Sequence, residues 1–167
     1  MEQLTLILDN IRSAHNVGGI LRNAVAFGVQ EIYCTGITPY PLLTSDHRLP
    51  HVSRRATEQI RKTALGAEKL CHIHHFEAIT TAIHTARNKG AAIYALELQP
   101  QARDLAGFQP ELPAALILGN EVDGIHSDLL KTVDEVIQIA HTEAKESLNV
   151  TTASGIALYH FSTQLRG

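Results

Sequence analysis

At 167 residues the chain has the length of one ordinary domain, able to bury roughly 70% of the surface its unfolded form exposes. Its 44% hydrophobic and 19% charged residues, with six Pro and eleven Gly, exclude the disordered and fibrous classes. No apolar run approaches the ~20 residues of a membrane helix, no signal sequence opens the chain, and Cys34 and Cys71 form neither a disulfide framework nor a CxxC motif, so the expected setting is the cytoplasm. The net charge of −3 lacks the basic excess usual in nucleic-acid binders, and affinity for a polyanion would have to come from a local patch. Residues 46–62 form one, with Arg48, Arg54, Arg55, Arg61 and Lys62 against only Asp46 and Glu58. A solvated loop and helix face accounts for the same pattern equally well.

In chain order, short apolar runs predict strands at residues 4–8, 31–34, 91–96, 114–118 and 136–140. Alternation at His72 and His74 fits a further strand. Helical spacing at Ala78, Ile79, Ala82, Ile83 and Ala86 ends at Asn88-Lys89-Gly90, a C-terminal stop. The proline-bearing stretches 35–50 and 97–113 predict surface loops. A final helix is predicted from about 147 to 164, with Leu148, Thr152, Ile156 and Tyr159 on one stripe and the small residues Ala153, Ser154, Gly155 and Ala157 suited to close packing. Alternating strands and helices predict an α/β protein, a mostly parallel sheet with helices on both faces, as a single domain over 1–167.

Three loops after predicted strands gather polar residues and glycines where open α/β sheets place ligands. The first, Asn10-Ile11-Arg12-Ser13-Ala14-His15-Asn16-Val17-Gly18-Gly19, leads into a helix for which Asn16 is a suitable N-cap. Gly18 and Gly19 permit close approach of backbone or ligand, and Arg22 follows in the second turn. The second, Gly119-Asn120-Glu121-Val122-Asp123-Gly124, has P-loop glycine spacing, but Ile125 and His126 stand where Lys and Ser/Thr are required, which excludes nucleoside triphosphate binding. Glu121 alone reads as a charge at a helix N-terminus. The third, Ser147-Leu148-Asn149-Val150, opens the final helix with Ser147 as its N-cap and Asn149 as an early-turn polar residue.

Taken together and in this order, the three segments resemble the three motifs of the SpoU/TrmH family of RNA ribose methyltransferases, in the SPOUT superfamily, over nearly the whole chain. The resemblance implies a C-terminal deep trefoil knot, an exception to the rule that chains avoid knots. It implies S-adenosyl-L-methionine as cofactor, a homodimer with the substrate site at the subunit interface, and methyl transfer to a ribose 2′-hydroxyl of tRNA or rRNA. It assigns Arg22, Asn16, Glu121, Ser147 and Asn149 to catalysis and Gly119, Ile139 and Leu148 to the cofactor. Arg22 falls nearest the proton-removal step, yet a guanidinium holds its proton, which favours a phosphate clamp and stabiliser of the developing alkoxide.

Arg12, Arg48, Arg54, Arg55, Arg61 and Lys62 are the candidate RNA contacts. No separate RNA-binding extension is expected before the first strand. The chain departs from the family at Ala14, where proline is frequent, and at Ala140-His141-Thr142-Glu143-Ala144-Lys145, where members commonly have Pro-Met and a small glycine-containing loop that lines the cofactor pocket.

Other readings fare less well. A nicotinamide-dependent oxidoreductase requires G-x-G-x-x-G and an acidic residue about 20 positions on, but the turn reads Asn16-Val17-Gly18-Gly19. His72, His74 and His75, or His47 and His51, lack the further ligands of a metal site, and no metal is expected. G-x-S-x-G is absent. A non-catalytic RNA-binding or assembly protein of the same fold remains the alternative.

Overall fold

Period-two alternation along the strands decides the architecture. The structure is a computed structural model that describes residues 3–140 and 147–164. Its elements run β1 (Leu4–Asp9), α1 (Ala14–Ala26), β2 (Glu31–Thr35), α2 (Pro50–Ala64), β3 (His72–Phe76), α3 (Ile79–Asn88), β4 (Ala92–Leu96), β5 (Arg103–Asp104), β6 (Ala114–Leu118), α4 (Ser127–Leu130), β7 (Glu135–Gln138) and α5 (Val150–Gln164). The seven strands form one sheet in the order β3-β2-β1-β6-β4-β7-β5, with parallel pairing throughout. No helix among the described residues is long and apolar enough to cross a membrane.

Leu4, Leu6 and Leu8 of β1, Ile32 and Cys34 of β2, and Leu116 and Leu118 of β6 point to one face, where they pack with Val17, Ile20, Leu21, Ile60, Leu158 and Phe161 of α1, α2 and α5. The intervening Ile7, Tyr33, Ile93, Ala115 and Ile117 point to the other, against Ala82, Ile83 and Ala86 of α3 and Leu130 of α4. Both faces of the central strands are therefore covered, as a parallel sheet requires.

Two expectations about this packing are corrected. The loop at 97–113 is not purely superficial: it contains β5 and a 3-10 turn over Leu105–Gly107. From it Leu105 and Phe108 are buried, and Phe108 meets the Tyr94 ring edge-on at 4.9 Å. Two aromatic or aliphatic anchors among polar residues carry no periodic signal, so the segment read as loop. On α5 the buried face is Val150, Ser154, Ala157, Leu158 and Phe161, whereas Ile156 and Tyr159 of the expected stripe are 41% and 61% exposed. The face that meets the domain combines Leu158 and Phe161 with the small Ser154 and Ala157.

Close approach explains the paired glycines of α1. A Cβ at Gly18 would lie 2.3 Å from the Ile60 carbonyl oxygen on α2, and one at Gly19 would lie 2.6 Å from Thr151 Cγ2 on α5. In both cases it is protein, not ligand, that occupies the space. Because the Ile60 contact is backbone, Gly18→Ala has to push two helices apart, and we predict a loss of about 2 kcal/mol in urea unfolding.

Candidate functional site

The sheet order reverses between β1 and β6, so the connections after these two strands leave in opposite directions and open a crevice at the carboxyl edge. A cavity of about 310 Å³ lies here, walled by the ends of β4, β6 and β7 and the approach to α5. Gly119, Glu121, Ile139, Ser147, Leu148 and Asn149 all line it. Of the residues assigned to catalysis and cofactor, only Asn16 and Arg22 lie outside its lining.

Glu121 ties the first two segments together. Its carboxylate accepts hydrogen bonds from the backbone N–H groups of Arg12 (2.9 Å) and Ser13 (3.3 Å) and from the Asn16 side-chain amide (2.8 Å). Partial burial raises its pKa, but the donors from Arg12, Asn16 and Ser13 outweigh that and hold it below its ordinary value of 4.5. Glu121 does not sit at the N-terminus of its own helix, as its place in sequence suggested; it serves the N-terminus of α1 instead.

Asn16 extends the connection to the third segment. Its Oδ1 accepts from the Asn149 amide and from Thr151 Oγ1, both at 3.5 Å, and its backbone carbonyl accepts from Thr151 Oγ1 at 3.4 Å. Asn23, two turns further along the same face of α1, donates to the Thr151 carbonyl (2.9 Å) and to Ser154 Oγ (3.1 Å).

Both expected N-caps shift. Ser13 caps α1 by accepting from the Asn16 N–H, which frees the Asn16 side chain to bridge. The final helix begins at Val150, and Asn149 caps it, its Oδ1 accepting from the Thr151 N–H at 2.8 Å. Ser147 lies upstream, exposed, on the cavity wall.

Glu97, Thr151 and Asn23 carry no assignment from sequence, and Asn120 carries only its place in the second segment. Asn120 donates to the Asn10 carbonyl (2.8 Å) and accepts from Val122 and Asp123 N–H in its own turn, while Asn10 takes φ +52° and accepts from the Ile37 N–H. Glu97 lines the cavity one residue past β4, the carboxyl-end position where ligands of such sheets bind, and that was the available signal. Gly119 is demanded by the turn: a Cβ there would lie 2.4 Å from Ile125 Cγ1 and 2.9 Å from the Gly124 carbonyl carbon.

Arg22 is exposed on α1 and pairs with none of the described residues. Six residues beyond Asn16, it is displaced by about 9 Å along the helix and turned to a different face. Arg54, Arg55, Arg61 and Lys62 stand exposed on α2, with Arg61 3.5 Å from the buried Glu68 carboxylate. Arg48 differs from them. It donates to Asp46 and to the carbonyls of Tyr40 and Pro41, and its guanidinium lies 3.5 Å over the Tyr40 ring. Those contacts use its donors to hold the 40–48 loop, so Arg48 is a loop anchor and not a free cation.

His72 and His74 project beside Glu31 at 3.8 and 3.6 Å. Among the described residues no group of three or more His, Cys, Asp or Glu side chains is arranged to hold a metal ion. The departure at 140–145 falls, apart from exposed Ala140, outside the described residues.

Because the pKa of Glu121 is lowered on folding, its stabilising effect is present above its unfolded value near 4.5 and disappears as pH falls through the folded value. Glu121→Gln is therefore predicted to cost about 1 kcal/mol at pH 7 in denaturant titrations, with the gap from the parent chain closing below pH 4.5.

Known proteins are similar to this chain in sequence and in fold. The tRNA (guanosine(18)-2'-O)-methyltransferase of Thermus thermophilus is 26% identical over 161 residues, 96% of this chain and 75% of that one. The 23S rRNA (guanosine-2'-O-)-methyltransferase of Coxiella burnetii is 29% identical, covering 96% of this chain and 58% of its own length. Among solved structures, the A. aeolicus TrmH/SpoU tRNA modifying enzyme superposes with a TM-score of 0.80 at 23% identity, covering 99% of this chain and 77% of that one. An AdoMet-bound rRNA methyltransferase from Sinorhizobium meliloti gives 0.76 at 22% identity, covering 97% and 56%. The match to the SpoU rRNA Methylase family extends over residues 3–159, and the chain belongs to that family.

Proposed function

We propose that this domain transfers a methyl group from S-adenosyl-L-methionine to a ribose 2′-hydroxyl of tRNA or rRNA, in the cytoplasm. The observation that carries this reading is the convergence of Asn16, Glu121 and Asn149, from three distant segments, at the rim of the 310 Å³ cavity. The cavity suits the cofactor: its volume is in the range of small-molecule sites, ~300–1,000 Å³, and its walls combine Leu96, Leu118, Leu148 and Val150 with the carboxylates of Glu97 and Glu121. Gly119, Ile139 and Leu148 are the residues we assign to holding it. When bound, S-adenosyl-L-methionine supplies an electrophilic methyl group on a sulfonium.

The reaction forms a carbon–oxygen bond as the carbon–sulfur bond breaks, with the 2′-hydroxyl proton released to solvent, and it needs the attacking oxygen in line with the methyl carbon. Asn16, fixed by Glu121 and Asn149, sets that line, with Ser147 completing the polar rim. Arg22 contributes positive charge to the developing alkoxide and to the neighbouring phosphate. Its position outside the cavity lining favours a site completed between two subunits.

The proposed homodimer joins across the open faces of α1 and α5. The support is an exposed apolar surface with Ile156 and Tyr159, continuous with α1 through the Tyr159–Phe27 ring contact at 6.0 Å. The proposal includes the trefoil knot. What supports it is that β7 enters the sheet between β4 and β5 and that α5 then returns to pack on α1.

For RNA, the exposed Arg54, Arg55, Arg61 and Lys62 of α2, with Arg12 at the entrance to α1, are the proposed phosphate contacts. Arg48 is left out of the set.

Arg22→Ala is predicted to lower methyl incorporation into tRNA or rRNA at least 100-fold while cofactor affinity and the dimer mass by light scattering stay unchanged. Retention of most of the activity would contradict the role given to Arg22. The double variant Arg55→Ala/Lys62→Ala is predicted to reduce the slope of log affinity against log salt by about 2 in filter-binding titrations. Arg48→Ala is instead predicted to leave that slope unchanged and to lower thermal stability.

A further inference from the structure

Glu97 is held in place at both carboxylate oxygens. Oε2 accepts from the Ile125 N–H at 2.7 Å and Oε1 from the Leu98 N–H at 3.0 Å, while the Glu97 N–H donates to the Ile137 carbonyl at 2.9 Å. Gly124 makes room for it: at φ +64°, a Cβ on Gly124 would lie 2.5 Å from Glu97 Oε2. The side chain thus spans from the end of β4 to the far end of the 119–125 turn and forms part of the cavity wall.

Among the described residues lining the cavity, the charged side chains are Glu97 and Glu121, and none is basic. Glu121 is committed to the N–H groups that open α1. Glu97 is the carboxylate fixed on the opposite side of the turn.

We propose that Glu97 makes this cavity selective for a sulfonium cation over the neutral thioether that remains after methyl transfer. The inference rests on the cofactor reading above. S-Adenosylmethionine carries one more positive charge than S-adenosylhomocysteine, and the two are otherwise nearly the same shape. A fixed carboxylate therefore acts on their difference, whereas any effect of Glu97 on turn geometry acts on both alike. Across several ångströms of partly solvated cavity, one unit charge is worth roughly five- to tenfold in relative affinity. The same residue favours loading of the substrate form and release of the spent one, which makes it a specificity-determining residue.

The test is calorimetric titration of the parent chain, Glu97→Gln and Glu97→Asp with S-adenosylmethionine and S-adenosylhomocysteine. Glu97→Gln is expected to lower the affinity ratio of the two ligands about fivefold, while Glu97→Asp, which keeps the charge, retains most of the parent ratio even if both affinities fall. Equal losses for both ligands in Glu97→Gln, with the ratio unchanged, would overturn the selectivity while leaving the cofactor reading intact. A folded parent chain that binds neither ligand would overturn the cofactor reading and this inference with it.

Discussion

A half-buried carboxylate has to find donors or lose its charge, and Glu121 finds three of them in a segment more than a hundred residues away. That requirement fixes the turn after β6 against the entrance to α1. It turns the Asn16 side chain toward the third segment, where the cap of α5 already holds Asn149 in place. The N–H groups of Arg12, just ahead of the helix, and of Ser13, its N-cap, become the means of aligning the site. The assembly is electrostatic at its centre and polar at its rim, and the cavity beside it provides apolar walls.

The sheet supplies the setting for this contact. Parallel pairing of β1 with both β2 and β6 puts the ends of β1 and β6 side by side at the switch in strand order, so the first two segments are neighbours by topology. The third arrives through packing. Gly19 and Gly155 remove the side chains that would separate α1 from α5, and Asn23 satisfies the polar groups exposed at that close crossing. A residue such as Asn16 bridges two elements only when helix backbones come this near.

Much of this was legible beforehand. The apolar runs place β1, β2, β4, β6 and β7 to within about two residues, because a buried parallel strand is apolar on both faces and needs no subtler signal. Asn16, Glu121 and Asn149 stood out as polar residues after strands. What each of them does was not legible: a side chain that caps its own helix and one that reaches across the fold look alike in sequence, and so Asn16 and Ser147 were given the capping roles that belong to Ser13 and Asn149. Arg48 shows a related limit, since charge is visible in sequence and the carbonyl cage around a guanidinium is not. β5 is two polar residues long and leaves no pattern. The buried face of α5 is rotated from the Ile156–Tyr159 stripe to Ser154, Ala157, Leu158 and Phe161, because this helix carries large apolar residues on two faces and the pattern alone does not choose between them.

The acceptor atom of the methyl group separates ribose transfer from every other outcome. The most direct measurement is to incubate the chain with S-adenosylmethionine labelled in its methyl group and unmodified tRNA and rRNA, then hydrolyse the RNA in alkali. Alkaline cleavage requires a free 2′-hydroxyl, so label in alkali-resistant dinucleotides is the result predicted for transfer to ribose. Label released in mononucleotides, marking a base as acceptor, or no transfer to either RNA by a folded, cofactor-bound protein, would contradict it.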